Sequence, residues 1–456
     1  METKVVRESW KSRLGFMIAA VGSAVGLGNI WRFPYITGEH GGAAFIALYL
    51  LFLVLIGFPV LVAEISLGRE AQSSPYGSFK KMGGGYWGLA GKLAILTGFI
   101  VSSFYSVVAG WIAGYFVEAI KGNLSQIATA EQASAHFASL VSKPVWSLGC
   151  HFGFMLLSVL ILYTGVRNGI ERFNKILMPL LIILLVFLVI EGLTLPETGK
   201  ALGFLFSPDW SVLTPAAIII ALGQSFFTLS LGQGTMITYG SYLSKKESIP
   251  TTCLPIALVD TGVSILAGIA VFTTVFAVGM APTEGPALIF STLPIAFAKL
   301  PLGHLLVVLF FLLVILAAIT SEISAMEPLI AYLVDEKKWS RRRSVLFCGI
   351  ASFCVGVPSC LSNETYQLFT VFGYSFFDMI SFLAVNVMIP IGGFAVVVVV
   401  AWKWGIARAY KTFGGVDEKS ASTMLSKLAF NYFRISLKFV APILIILIFL
   451  NALGII

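Results

Sequence analysis

Gly22-Ser23-Ala24-Val25-Gly26-Leu27-Gly28-Asn29 stands in the middle of an apolar run long enough to cross a bilayer, and Ser230-Leu231-Gly232-Gln233-Gly234-Thr235 stands in the middle of another. Clustered glycines are costly there, because each Gly in a helix interior loses roughly 1 kcal/mol relative to Ala. Unwound backbone at membrane depth survives only where protein buries it or where it lines a cavity. Two such breaks in separate segments predict a site built from the ends of broken helices.

The composition fits that expectation. The chain has 456 residues, of which 58% are hydrophobic and 11% charged. Mean hydropathy is +0.93. These values predict an all-α polytopic membrane protein. The formal charge of +8 follows from Lys and Arg placed between apolar runs, as in cytoplasmic loops, so no nucleic-acid partner is expected. Met1–Arg13 is charged and runs into the first span without the pattern of a signal peptide. The five cysteines (Cys150, Cys253, Cys348, Cys354, Cys360) show no metal spacing and are expected to be free, buried thiols. The four histidines are scattered, so no metal centre of His and Cys is expected.

Eleven spans are predicted: Leu14–Thr37, Ala43–Gly68, Leu93–Ile120, Val145–Thr164, Ile170–Glu191, Pro215–Tyr242, Thr252–Val278, Leu305–Leu333, Ser344–Val357 (the weakest, alternatively reaching through Cys360), Leu368–Trp402 and Phe433–Ile455. With the N-terminus inside, 25 of the 30 basic residues fall in the N-terminal arm or in inside loops. The exceptions are Lys121, Lys143, Lys200, Lys299 and the intramembrane Arg32. This asymmetry predicts a cytoplasmic N-terminus and, with an odd number of spans, an extracellular C-terminus. The outside segment Met280–Pro301, with Pro282, Pro286, Pro294 and Pro301, is expected to form short helices. No tail or loop is long enough to fold as a domain of its own.

The broken spans are the first and the sixth. An offset of five places their halves in opposite orientations, which predicts an inverted repeat of five plus five helices with the eleventh appended. The expected bounds are about 12–192 for one repeat, 215–404 for the other and 430–456 for the extra helix, within a single transmembrane domain 1–456.

A broken helix offers carbonyl oxygens at one half-end and N–H groups at the other. The carbonyls suit a cation and the N–H groups a carboxylate. Ser23, Asn29, Thr228 and Ser230 add small oxygen-bearing side chains at the breaks; hydrogen bonding between helices is the plainer explanation of such residues. Asp260 lies inside span seven, where a carboxylate is costly and normally has a partner.

Several motifs resemble the signature of the neurotransmitter:sodium symporter family. They are Arg13-Leu14-Gly15, Gly22 through Asn29, Trp31-Arg32-Phe33-Pro34, Phe226-Phe227-Thr228-Leu229-Ser230-Leu231-Gly232, and Thr320-Ser321 ahead of Met326-Glu327-Pro328. The likeness covers essentially the whole chain. It implies the leucine-transporter fold, sodium coupling, alternating access and location in the plasma membrane. Eleven spans rather than the common twelve resemble a bacterial branch that carries many hydrophobic amino acids.

The resemblance implies two Na⁺ sites. The first uses Ala24, Asn29, Thr228 and Asp260; the second uses Gly22, Val25, Ala317, Thr320 and Ser321. Family members usually carry Asn where this chain has Asp260. Chloride-binding relatives use a Tyr, a Gln, two hydroxyls and that Asn. Tyr49, Gln224, Thr228 and Ser264 match, but Asp260 brings a negative charge of its own, so chloride-independent transport is expected.

The implied substrate pocket comprises Ser23, Ala24, Gly28, Val101, Tyr105, Phe227, Thr228, Ser230, Gln233, Ser321 and Ala325. Amine-carrying relatives have Asp at the position of Ser23. Its absence implies a ligand that brings its own carboxylate, an α-amino acid. Ala325 stands where leucine-selective relatives carry a larger Ile, which implies bulky aliphatic or aromatic side chains.

Gates are implied at Arg32 with Asp378 (the acidic position alternatively falling on Ser381) and at Arg7 with Asp335, with Trp10 packed nearby; Tyr105 and Phe227 form a lid. Glu64 is implied to support the broken backbone of span six. Gly169 and Pro179 bracket a stretch of span five whose inner end is expected to unwind. The alternatives are a proton-coupled or exchange transporter of the same fold, and an amino-acid sensor that does not transport. No nucleophile–base pair or metal cluster suggests an enzyme.

Overall fold

The computed structural model describes residues 8–280, 289–362, 370–371, 374–413 and 424–455. Span one is Arg13–Ala24 followed by Gly28–Glu39, bent by 49° at the break. Spans two to five are Ala43–Ala71, Gly85–Ile120, Pro144–Tyr163 and Val166–Leu193. Span six is Pro215–Phe227 and Thr235–Ser241, parted by residues 228–234. Spans seven to eleven are Ile249–Ala277, Gly303–Asp335, Arg341–Leu361, Phe376–Lys403 and Lys427–Ala452. Among the described residues, ten spans are long and apolar enough to cross a membrane, counting the bent pair as one. Span six is the eleventh; its break is too wide for either half to qualify alone.

Several boundaries differ from those expected, among them the starts of spans three and eleven, at Gly85 and Lys427 rather than Leu93 and Phe433. Span nine extends beyond Ser344–Val357 because Ser340 caps its start, accepting a hydrogen bond from the Arg343 amide, and because Pro358 is accommodated within the last turns. Span ten was expected from Leu368, which lies outside the described residues; the helix starts at Phe376, where Ser375 caps it. Thr370–Val371 pairs antiparallel with Tyr374–Ser375 just before it. A short apolar run has the same hydropathy as strand or helix. The expected short helices of the 280–301 segment reduce to Thr292–Ala298 among the described residues. All five cysteines are free, but Cys354 is exposed and Cys150 half-buried, so burial holds only for Cys253, Cys348 and Cys360.

The spans sort into two groups by packing. Spans three, four, eight and nine pack on one another, with the pair three–eight making the most extensive contact. Spans one, two, six and seven form the other group, and the second half of span six lies along span two. Each group contains a span and its counterpart five positions on, as the five-plus-five architecture requires. Span one touches spans five and eight as well, so its break lies where the two groups meet. Exposed apolar side chains such as Leu157, Leu160, Ile183, Ile190, Phe439 and Ile443 cover spans four, five and eleven. Water is an unfavourable neighbour for such a surface and lipid a favourable one.

Candidate functional site

The break in span one begins at Val25, whose extended backbone (φ −72°, ψ 105°) ends the first half-helix. Asn29 starts the second half by accepting the Gly26 amide proton on Oδ1 at 3.0 Å. The break in span six is wider because Ser230, Gly232 and Gly234 all have positive φ, 53°, 79° and 80°. At Gly232 a Cβ would lie 2.2 Å from the Ile389 carbonyl oxygen, so only glycine fits. Its amide donates to Glu64 Oε1 at 2.7 Å, the support expected of that carboxylate. Ser230 adopts the left-handed region at a cost of about 1–2 kcal/mol, offset by its hydroxyl donating to the Ser23 carbonyl at 2.9 Å. That bond joins the two breaks.

Asn29, Thr228 and Asp260 converge on one spot, all fully buried or nearly so. Asn29 Nδ2 lies 3.0 Å from Thr228 Oγ1, 2.7 Å from Asp260 Oδ1, 3.1 Å from the Asp260 carbonyl and 2.8 Å from Ser264 Oγ. An amide nitrogen has two protons to give. Four oxygens around it therefore exceed its capacity, and the surplus, one of them a carboxylate oxygen, suits a hard cation. Tyr49 Oη is buried beside this cluster, near Thr228 and Ser264.

A second oxygen cluster joins span one to span eight. Ser321 Oγ lies 3.3 Å from the Ser23 carbonyl and 3.4 Å from the Val25 carbonyl. Thr320 Oγ1 lies 3.0 Å from the Ala317 carbonyl. Gly26 makes this approach possible, since a Cβ there would meet Ser321 Oγ at 2.4 Å. Ser321 is thus brought to Val25, while the Thr320 hydroxyl bonds within its own helix, to the Ala317 carbonyl, and Gly22 lies one turn back on the first half of span one.

A small cavity of about 50 Å³ is lined by Ser23, Ala24, Gly28, Val101, Tyr105, Phe227, Ser230, Gln233, Ser321 and Ala325, among others. Every expected pocket residue is in its wall except Thr228, which belongs to the oxygen cluster with Asn29 and Asp260. No charged side chain lines it. A much larger cavity of about 870 Å³ opens on the face that bears Tyr35 and Asp378, the predicted outer face. Leu27, Gly28, Tyr105 and Phe227 line both spaces, so Tyr105 and Phe227 form the partition between them.

The residues expected to form the outer gate line one cavity but bond other partners. Arg32, Asp378 and Ser381 all line the outer cavity. Arg32 donates to Gln224 Oε1 at 2.5 Å and lies 5.0 Å over the Phe227 ring, while Asp378 bonds Ser375. At the inner end, Arg7 lies outside the described residues. Asp335 accepts from the Ser74 amide at 2.7 Å, and Trp10 donates from its indole to the Tyr239 carbonyl at 3.0 Å.

Sequence reasoning missed the strongest inner contact. Arg341 grips Glu327 with two bonds of 2.7 and 2.9 Å. Tyr242 Oη donates to the same carboxylate at 2.7 Å, and Glu8 lies 3.6 Å from Arg341 Nε. The signal was available: Glu327 is an acid inside an apolar span and requires a partner. Ser324 was missed too; its hydroxyl accepts from Ser23 Oγ at 2.8 Å.

A helical bundle whose two broken spans face each other about a membrane-depth pocket is the architecture of a secondary transporter. The model of the sodium:neurotransmitter symporter family matches residues 7–138 and 141–455, and the chain belongs to that family. The family consists of multi-pass membrane transporters, not enzymes. The chain is 39% identical over 449 residues, 98% of each chain, to the uncharacterized sodium-dependent transporter YhdH of Bacillus subtilis (strain 168). It is 26% identical over 457 residues to the sodium- and chloride-dependent GABA transporter 2 of Mus musculus, covering 89% of this chain and 74% of that one. The crystal structure of MhsT in complex with L-phenylalanine superposes with a TM-score of 0.87 at 43% identity, covering 98% of this chain and 100% of that one. The family and the leucine-transporter fold expected from the motifs are those found.

Proposed function

We propose that this chain is a plasma-membrane symporter that imports hydrophobic L-amino acids, aliphatic and aromatic, coupled to sodium and independent of chloride. The observation that carries the substrate class is the wall of the central cavity, which presents Ser23 and backbone groups but no charged side chain. An amine ligand alone would lack a counter-charge there, whereas an α-amino acid supplies its own carboxylate. That MhsT was crystallised with L-phenylalanine supports an aromatic-tolerant pocket.

Two sodium ions act in this reading. The first is held by the Ala24 carbonyl, Asn29, Thr228 and Asp260, where the carboxylate supplies the negative charge that chloride supplies elsewhere. The second is held by Gly22, Val25, Ala317, Thr320 and Ser321, oxygens without a full charge. Sodium favours the outward-facing arrangement by tying span one to span eight. Substrate then draws Tyr105 and Phe227 across the cavity, and Arg32 leaves Gln224 for Asp378. Differential affinity of ions and substrate for the two states drives the shift. The N-terminus is cytoplasmic and the C-terminus extracellular, as the charge asymmetry supports.

The test is uptake of labelled tryptophan and leucine into proteoliposomes under an inward sodium gradient, against potassium or a pH gradient, with and without chloride. Uptake with sodium alone is the expected result. Uptake driven by a pH gradient alone overturns the sodium sites, and binding without uptake makes the protein a sensor.

A further inference from the structure

Asn174 of span five is fully buried. Its Nδ2 donates to the Ile170 carbonyl at 2.8 Å, one turn earlier. That bond fixes which end of the amide faces where: the nitrogen points back along its own helix and Oδ1 points away. Oδ1 has no hydrogen-bond partner. A buried amide oxygen without a partner is uncommon and costly, and asks for an explanation.

The position of that oxygen supplies one. It lies against Gly22, so close that a Cβ built there would be 2.0 Å from it, with Met178 Sδ 3.3 Å from that same Cβ. Glycine at 22 leaves the oxygen room to face the backbone of the first half of span one. Gly22 lies one turn before the break, on its N-terminal side, the side that the charge asymmetry assigns to the cytoplasm. Gly15, two turns earlier, is likewise occupied by a polar group of span five, since its Cβ would meet Glu171 Oε1 at 2.0 Å. That carboxylate is already paired, with Lys175 Nζ at 2.6 Å and the Lys11 amide at 2.8 Å. Asn174 Oδ1 is therefore the uncommitted oxygen of the two.

We propose that Asn174 Oδ1 is a transient sodium ligand, the first oxygen met by the ion of the second site on its way to the cytoplasm. It faces Gly22, whose carbonyl belongs to that site in the proposed reading, and it comes from a helix that contributes none of the site's other ligands. An ion leaving Thr320 and Ser321 toward the inner end exchanges the span-eight hydroxyls for the amide oxygen of span five. Sodium accepts neutral amide oxygens as it does carbonyls, so the exchange requires no charge on span five.

The proposal rests on the sodium-coupled reading, and the experiment separates the two. Asn174→Ala and the near-isosteric Asn174→Leu remove the oxygen; Asn174→Asp keeps it and adds a charge. Each is reconstituted in proteoliposomes, and two sodium dependences are read: external sodium for half-maximal uptake, and internal sodium for half-inhibition of uptake. The oxygen-free variants are expected to raise the internal value by about tenfold while the external value stays within about twofold. Asn174→Asp is expected to lower the internal value by about tenfold. A residue that only packs against Gly22 would alter thermal stability and leave the internal value unchanged. Internal values within about twofold of the parent in the oxygen-free variants overturn the proposal. Should neither of those fold, Asn174→Asp decides, an unchanged internal value overturning it. A parent chain that takes up substrate without external sodium would instead defeat the sodium-coupled reading itself.

Discussion

Thr228 Oγ1 donates to the Asp260 carboxylate, 2.9 Å from Oδ2 and 3.1 Å from Oδ1, and so ties the residue at which span six unwinds to the middle of span seven. The same carboxylate lies 2.7 Å from Asn29 Nδ2, at the start of the second half of span one. Three spans, two of them broken, therefore meet on one buried acid. No cationic side chain pairs with it among the described residues, so a bound cation is the natural counter-charge.

Replacing Asp260 with Asn keeps the shape and deletes the charge. Sodium at the first site then lacks a fixed negative partner, and an external anion is no longer repelled by a carboxylate there. Uptake by Asp260→Asn is expected to need chloride, falling by about tenfold or more when gluconate replaces it. Asp260→Ala is expected to lose the sodium dependence of the first site altogether. Parent-like, chloride-indifferent, sodium-driven uptake in both variants would remove Asp260 from the site.

The sequence made the breaks legible because glycine clusters have no other place in a membrane helix, and it made Asp260 legible because an intramembrane acid stands out. Glu64 was readable only through the family resemblance. Contacts between distant, locally ordinary residues were not: Ser23 with Ser324, Arg341 with Glu327, and the unpaired oxygen of Asn174 leave no periodic trace. Arg32 shows the limit of charge arithmetic. Sequence offers it Asp378, but in the structure Gln224 is within reach and the Phe227 ring lies beneath it. Span ten shows another limit, since hydropathy does not register a two-residue ladder ahead of a helix cap.

Gly26→Ala tests the second sodium site sterically. The added methyl would lie 2.4 Å from Ser321 Oγ and 3.3 Å from Tyr105 Oη, so Ser321 must turn away from the Val25 carbonyl. The sodium concentration for half-maximal substrate binding is expected to rise by about tenfold, the loss of one good ligand. Gly223→Ala, which meets nothing within 4 Å in the first half of span six, serves as the control and is expected to titrate like the parent. An unchanged sodium titration in Gly26→Ala would place the ion elsewhere.

Glu327→Gln tests the inner seal. Glu327 is fully buried and holds Arg341 and Tyr242 together. Deleting one charge of a buried pair costs about 3–5 kcal/mol where the partner stays in place. Opening the inner face relieves that cost by giving Arg341 to water. The variant is therefore expected to shift toward an inward-open state. A cysteine replacing the buried Thr238 on the second half of span six, in a background lacking the native cysteines, should react several-fold faster with a membrane-impermeant maleimide applied from the inner side. Equal labelling rates with and without the Glu327 change would mean that the pair does not act as a gate.

Ala325 sets the width of the central cavity from span eight, facing Val101 and Gln233 in the same wall. The space is about 50 Å³, enough for only one or a few waters, so a large side chain enters by displacing the partition of Tyr105 and Phe227 rather than by filling a vacant hole. Ala325→Ile adds three carbons at a wall position of span eight that has little side chain of its own. Each misplaced methylene in an apolar pocket is worth about 1–3 kcal/mol. Tryptophan, which requires the full width, is expected to lose at least about tenfold in uptake efficiency, while leucine keeps its efficiency within about threefold. Competition between the two labelled amino acids in proteoliposomes gives the ratio directly. If both fall together, the Ile side chain obstructs a shared part of the pocket and Ala325 does not set selectivity; if neither falls, the side chain of the substrate points away from span eight.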